Sequence, residues 1–171
     1  MQLSIVPVGT VPNALLNYLK YSLPTYLKFE KISREREMSL PSSYDALRKQ
    51  YLVQNFFTTA LEEHVEHALL LADVDLFMEP LEYMFGHYND NKALVSMRRL
   101  NPSFMGGNDP ESLRNRVLNE SIHQLGHTLG LGHCKKQCVM KLAPGVLDVD
   151  KRSVKYCPSC LKIVKKSLKA K

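Results

Sequence analysis

Residues 119–133 read Asn119-Glu120-Ser121-Ile122-His123-Gln124-Leu125-Gly126-His127-Thr128-Leu129-Gly130-Leu131-Gly132-His133. On a helix, residues four apart stand one turn above the other on the same face, so His123 and His127 can offer imidazole nitrogens to one ion. Gly130 follows, at a point where a helix can end in a left-handed residue, and the chain can then turn back to bring His133 from another direction. Three nitrogens with a fourth position open is the arrangement of a catalytic zinc, which polarises a carbonyl and lowers the pKa of its bound water to ~7. A His-x-x-x-His pair alone is common. The turn glycine and the third histidine make the pattern specific.

All four cysteines come immediately downstream. Three residues separate Cys134 from Cys138, two separate Cys157 from Cys160, and 18 lie between the pairs, close to four-cysteine zinc spacing. In a reducing compartment such clustering points to metal before disulfides. Four protein ligands leave no open position, so this second zinc is expected to stabilise. Because Cys134 adjoins His133, anchoring the one fixes the loop that carries the other. The expectation is two zinc ions per chain.

Upstream of the histidines, Pro110 and Glu111 mark a first turn, and apolar residues at 113, 117, 118 and 122 carry a long helix into the motif. Before it, residues 83–87 and 93–100 read as two strands joined by the turn Asn89-Asp90-Asn91-Lys92, a hairpin with one strand antiparallel to its neighbour. Residues 68–71 read as a central strand and 3–8 as another. Asn13 is placed to cap a helix that stops at Pro24. Residues 25–32 alternate as a strand, 33–43 as a loop, and 44–64 are helical by period, with Leu47, Tyr51, Phe57 and Leu61 near one face. The order βαβαβββα with a helical tail predicts an α/β (α+β) fold: a mixed twisted sheet of about five strands, one antiparallel edge strand, and helices packed against it. With 171 residues and 44% hydrophobic content, one domain over 1–171 is expected, its active-site helix and ligands at about 110–133 and its cysteine subregion at about 134–171.

The formal charge of +6 sits at the end of the chain. Residues 151–171 hold eight Lys and Arg and no acid, while the first 150 hold 15 bases against 17 acids. Leu161, Val164 and Leu168 recur at helical spacing among the final lysines, which describes a solvated helix face and not a binding patch. No apolar run approaches the ~20 residues of a membrane span, and the N-terminus lacks the pattern of a signal peptide, so a cytoplasmic location is the default expectation. His64 and His67 in the cluster 62–67 read as solvated or dipole-paired histidines, and His87 as a surface residue of an edge strand. Asp73 and Asp75 are candidate caps.

The histidine run resembles the metzincin signature His-Glu-x-x-His-x-x-Gly-x-x-His, which ends in a Met-turn beneath the metal. The cysteines at 134, 138, 157 and 160, with Val139-Met140, resemble the archaemetzincins, small metzincins that add a cysteine site. The likeness extends to Arg48-Lys49-Gln50-Tyr51, Asp73-Val74-Asp75-Leu76-Phe77, Phe85-Gly86 and Ser96-Met97-Arg98-Arg99-Leu100, and so spans most of the chain. It implies a zinc metallopeptidase acting on a peptide or protein substrate, with Met140 as the Met-turn residue. One position departs: the family has glutamate after the first histidine, and this chain has Gln124. The glutamate takes a proton from the water and passes it to the leaving amine, whereas glutamine can accept a hydrogen bond but has no titratable group.

Three functions compete: a zinc peptidase impaired at Gln124, a non-catalytic peptide-binding protein on the same fold, and a zinc-ribbon nucleic-acid binder using the C-terminal lysines. The last has little support, since aromatic and basic residues are not interleaved and the histidines would be left without a purpose.

Overall fold

The computed structural model describes residues 1–58 and 65–169. Its larger sheet has five strands in the order β2 (Lys31–Arg34), β1 (Gln2–Val8), β5 (His67–Ala72), β9 (Lys92–Ser96) and β8 (Gly86–Asn89). The first four run parallel and β8 is antiparallel to β9 at the edge. The central strand β5, His-Ala-Leu-Leu-Leu-Ala, is buried along its whole length, as a strand covered on both faces must be. Side chains alternate across the pleat: Leu3, Ile5, Leu69, Leu71, Ala93 and Val95 enter one core, while Val6, Val8, Ala68, Leu70 and Leu94 enter the other.

The first core is closed by helices α1 (Asn13–Ser22) and α2 (Pro110–Thr128), which supply Leu15, Leu16, Leu19, Val117, Ile122 and Leu125. The C-terminal part of the chain, with α3 (Val146–Lys151) and α4 (Pro158–Ser167), packs on the same side through Val149, Tyr156 and Val164. The α4 lysines lie in water and Val164 points inward, as the helical spacing predicts. No described helix is long and apolar enough to cross a membrane.

The second core lies under a four-stranded sheet that local patterning does not foretell. Its order is β3 (Tyr44–Asp45), β4 (Gln50–Leu52), β6 (Leu76–Met78) and β7 (Leu81–Met84). The helix expected over 44–64 is therefore replaced by a hairpin over residues 44–52, and only the short 3-10 helix Val53–Phe56 follows it among the described residues. Asp45 Oδ1 accepts from the backbone N–H groups of Leu47 and Arg48, both at 2.9 Å, and Lys49 takes a positive φ of 55°, so the chain doubles back into a hairpin. Leu47, which the helical period would bury, is 98% exposed. Tyr51 instead pairs with Leu76, a partner that no local period can announce. Leu61 and His64 lie outside the described residues.

Two smaller expectations also shift. The second strand is displaced to Lys31–Arg34, because Leu23–Thr25 forms a 3-10 turn at Pro24. Asn13 does not cap α1: Pro12 precedes the helix, and the Asn13 side chain accepts from Arg34.

Candidate metal centres and the cleft between the sheets

Asp109 caps α2, its Oδ1 accepting from Glu111 N at 3.0 Å, with Pro110 at the first position. From Val117 to His127 the helix is buried on every face, including the polar Asn119, Glu120, Ser121, His123, Gln124 and His127. So many buried polar groups need defined partners.

His123 Nδ1 lies 2.8 Å from the carbonyl oxygen of Val139, and His127 Nδ1 lies 2.7 Å from that of Leu131. A carbonyl only accepts, so each Nδ1 carries the proton and each Nε2 is a bare lone pair. The two Nε2 atoms stand 3.1 Å apart. Burial lowers the pKa of both rings, that of His123 to about 4, so neither holds a second proton near neutrality. Two lone pairs facing each other at that distance repel unless a cation lies between them. Donor chemistry and spacing thus fit zinc, whose tetrahedral N ligands at ~2.0–2.1 Å stand roughly 3.4 Å from one another.

Gly130, at φ 90°, ends the helix in the left-handed region, and Leu131 N returns to Gly126 O at 3.0 Å. This reversal brings the exposed His133 beside the other two, with its ring centroid 5.4 Å from His123 and 5.0 Å from His127. The three histidines offer ligand atoms within 4.8 Å of one another. Tyr88, on the edge strand β8, stacks on His127 with centroids 4.6 Å apart and rings 8° from parallel.

The four cysteine sulfurs also lie within 4.8 Å of one another, with no disulfide among them. Cys134 Sγ and Cys157 Sγ are 3.9 Å apart, close to the roughly 3.8 Å between sulfurs on a tetrahedral zinc with ~2.3 Å bonds. Cys138 Sγ accepts backbone N–H groups from Cys157 at 3.3 Å and Met140 at 3.5 Å. The segment bearing Cys138 runs directly beneath the histidines. Met140 is fully buried there, and a Cβ on Gly126 would overlap its Sδ and come within 3.1 Å of Tyr156 Oη. Tyr156 in turn donates to Ile122 O at 2.8 Å.

The histidines open onto a cleft of about 750 Å³. One wall is the end of β6 with β7 and β8, carrying Met78, Leu81 and Met84; the other carries Leu142, Ala143 and Pro144. Tyr83 Oη donates to Pro144 O at 3.0 Å and ties the walls together. His87 lies on the edge strand β8 as expected, half-buried where it lines the cleft, and burial lowers its pKa. Asp75 forms a bidentate pair with Arg99 at 2.6 and 2.7 Å, and the Arg99 guanidinium lies 4.1 Å from the Tyr83 ring centre, which links the second sheet to the loop after β9. His67 is a buried residue of β5 against Phe29, not a solvated one.

Sequence reasoning overlooked the buried pair Glu120–Arg152, at 2.7 Å. Glu120 stood in the quoted motif without a role, and Arg152 was counted among the bases of a solvated tail. Its only signal was an acid one turn before Gln124, within the stretch of the helix that carries the histidines.

The sequence profile of peptidase family M54 matches residues 34–166. An archaemetzincin of Pyrococcus furiosus is 35% identical over 178 aligned residues, covering 96% of this chain and 92% of that protein. The crystal structure of archaemetzincin from Methanopyrus kandleri superposes with a TM-score of 0.88 at 31% identity, covering 99% of this chain and 96% of that one. That of archaemetzincin from Archaeoglobus fulgidus, complexed with malonate, gives 0.83 at 27% identity, covering 95% and 99% respectively. These likenesses extend over nearly the whole chain and agree with the arrangement of the sheet, helices and clustered histidines and cysteines, so the chain belongs to peptidase family M54.

Proposed function

We propose that this chain is a zinc-dependent metallopeptidase of the archaemetzincin type whose hydrolytic step is impaired at Gln124. The observation that carries the reading is the pair of bare Nε2 atoms of His123 and His127 at 3.1 Å, beside His133 and open to the cleft. A zinc ion held by these three residues supplies Lewis-acid polarisation of a peptide carbonyl and acidifies water beside it. Cys134, Cys138, Cys157 and Cys160 hold a second, structural zinc, giving two ions per chain, and Met140 is the Met-turn residue under the histidines.

The chain's own residues then have distinct tasks. The carbonyls of Val139 and Leu131 orient the His123 and His127 rings, and the apolar wall of Met78, Leu81 and Met84 excludes water from a bound peptide or protein substrate. Gln124 can accept a hydrogen bond from water in the cleft but cannot take its proton, and loss of a general base costs ~10² to 10⁴ in rate. Residues 1–171 act as one domain in this reading, in the cytoplasm.

The amide at position 124 also favours a second reading, a catalytically inactive peptide-binding protein with the same two zinc ions. Metal analysis and a peptidase assay of the chain beside Gln124→Glu at equal zinc content separate the two. A slow but metal-dependent parent, accelerated by the substitution, supports the impaired peptidase. Complete inactivity of both forms supports the binding protein.

A further inference from the structure

Gln124 sits one helical turn after Glu120, and their side chains meet. Gln124 Nε2 donates to Glu120 Oε1 at 2.7 Å. The other carboxylate oxygen takes a hydrogen bond from Arg152 Nη2, also at 2.7 Å, and Arg152 Nε is bound to Asn119 Oδ1 at 2.8 Å. All four side chains are buried, with 4–6% of their surface exposed.

A carboxylate paired with a guanidinium can only accept, so the amide has one orientation against it: nitrogen toward Glu120, oxygen away. Gly86 on β8 closes the near side. A Cβ there would come within 3.0 Å of Gln124 Cγ and 3.1 Å of Nε2, so Gln124 is held between strand and helix. Its Oε1 accepts from none of the described residues, and Gln124 lines the cleft beside His123 and His127. With Nε2 engaged by Glu120 and packed beside Gly86, the atom of position 124 left to face a ligand is Oε1, an acceptor, and that orientation is set by Glu120.

We propose that Glu120, as a positioning residue acting through Gln124, makes the histidine cavity select ligands that bring a proton and disfavour ionised carboxylates. The inference rests on the histidines holding a metal. A hydroxamic acid, an alcohol or water placed beside the imidazoles can donate to Gln124 Oε1. A carboxylate presents an acceptor to an acceptor, losing a hydrogen bond and leaving two buried oxygens in opposition. The same rule favours an intact peptide with its water over the carboxylate that ends a cleaved one.

The test uses the full chain loaded with cobalt(II), titrated separately with acetohydroxamic acid and with acetate while the visible d–d absorption is followed. A nitrogen-ligated cobalt band that His127→Ala removes is the first requirement; its failure overturns the metal reading, and this inference with it. Given that band, Glu120→Gln should lower the ratio of the acetate to the acetohydroxamate dissociation constant by about tenfold or more, because a neutral partner lets Gln124 turn its N–H toward the ligand. A parent-like ratio in folded, cobalt-loaded Glu120→Gln overturns the proposal. Should that variant fail to fold, Gln124→Met keeps the Glu120–Arg152 pair and removes the acceptor. The same fall in the ratio is then expected, and an unchanged ratio overturns the proposal equally.

Discussion

His123 Nδ1 donates to the carbonyl oxygen of Val139 at 2.8 Å, and Val139 lies between Cys138 and Met140. The segment that orients a histidine of the cleft is thus the same one that carries a cysteine of the sulfur cluster. Cys134 N donates to Met140 O at 2.9 Å and Val139 N to Lys155 O at 2.9 Å, so the segment is held from both sides.

The two centres are therefore expected to be coupled. Replacing Cys160 with Ser, far from the histidines in sequence, should loosen the Cys138–Met140 segment and weaken metal at the histidines by roughly 10- to 100-fold, the usual cost of losing a ligand's orienting partner. The measurement is chelator titration of the cobalt-substituted protein. An unchanged histidine-site affinity in a folded Cys160→Ser protein would establish that the sites are independent.

Gln124→Glu is expected to raise peptide hydrolysis by ~10² to 10⁴ with little change in zinc affinity. The new carboxylate would neighbour Glu120, and the positive charge of Arg152 and of a bound metal is what allows both to ionise. Initial rates at equal zinc content decide the matter: a parent as fast as the substituted chain removes the role assigned to position 124.

Gly126→Ala should destabilise the fold by about 1–3 kcal/mol, although alanine is the better helix former by ~1 kcal/mol. The added methyl would overlap Met140 Sδ, and Met140, with no exposed surface, has nowhere to retreat. Gly132→Ala, where a Cβ meets nothing within 4 Å, serves as the near-neutral control. Urea unfolding of the two proteins gives the comparison, and equal stabilities would contradict the packing argument.

Removing Arg152 leaves the Glu120 carboxylate buried without its charged partner. Arg152→Met is expected to cost about 3–5 kcal/mol, and restoring neutrality with Glu120→Gln in the same chain should recover part of that loss. A double-mutant cycle by denaturant unfolding reads the coupling directly. Additive losses would mean the pair contributes nothing as a pair.

What the sequence by itself determined is local. Spacing of four puts His123 and His127 on one helical face whatever the surroundings, Gly130 permits the reversal that returns His133, and two short cysteine loops bite at fixed intervals. The hairpin of β8 and β9 and the apolar run 68–72 of β5 follow from patterns only a few residues long. Tertiary structure decided the rest, because it depends on partners distant in the chain. Residues 44–52 became a hairpin whose second strand pairs Tyr51 with Leu76, against their own helical period. Arg152 entered the core because Glu120, 32 positions earlier, was waiting for a counter-charge. The bare lone pairs of the two histidines likewise exist only because the carbonyls of Val139 and Leu131 take up the Nδ1 protons, a choice of tautomer that spacing on a helix leaves open.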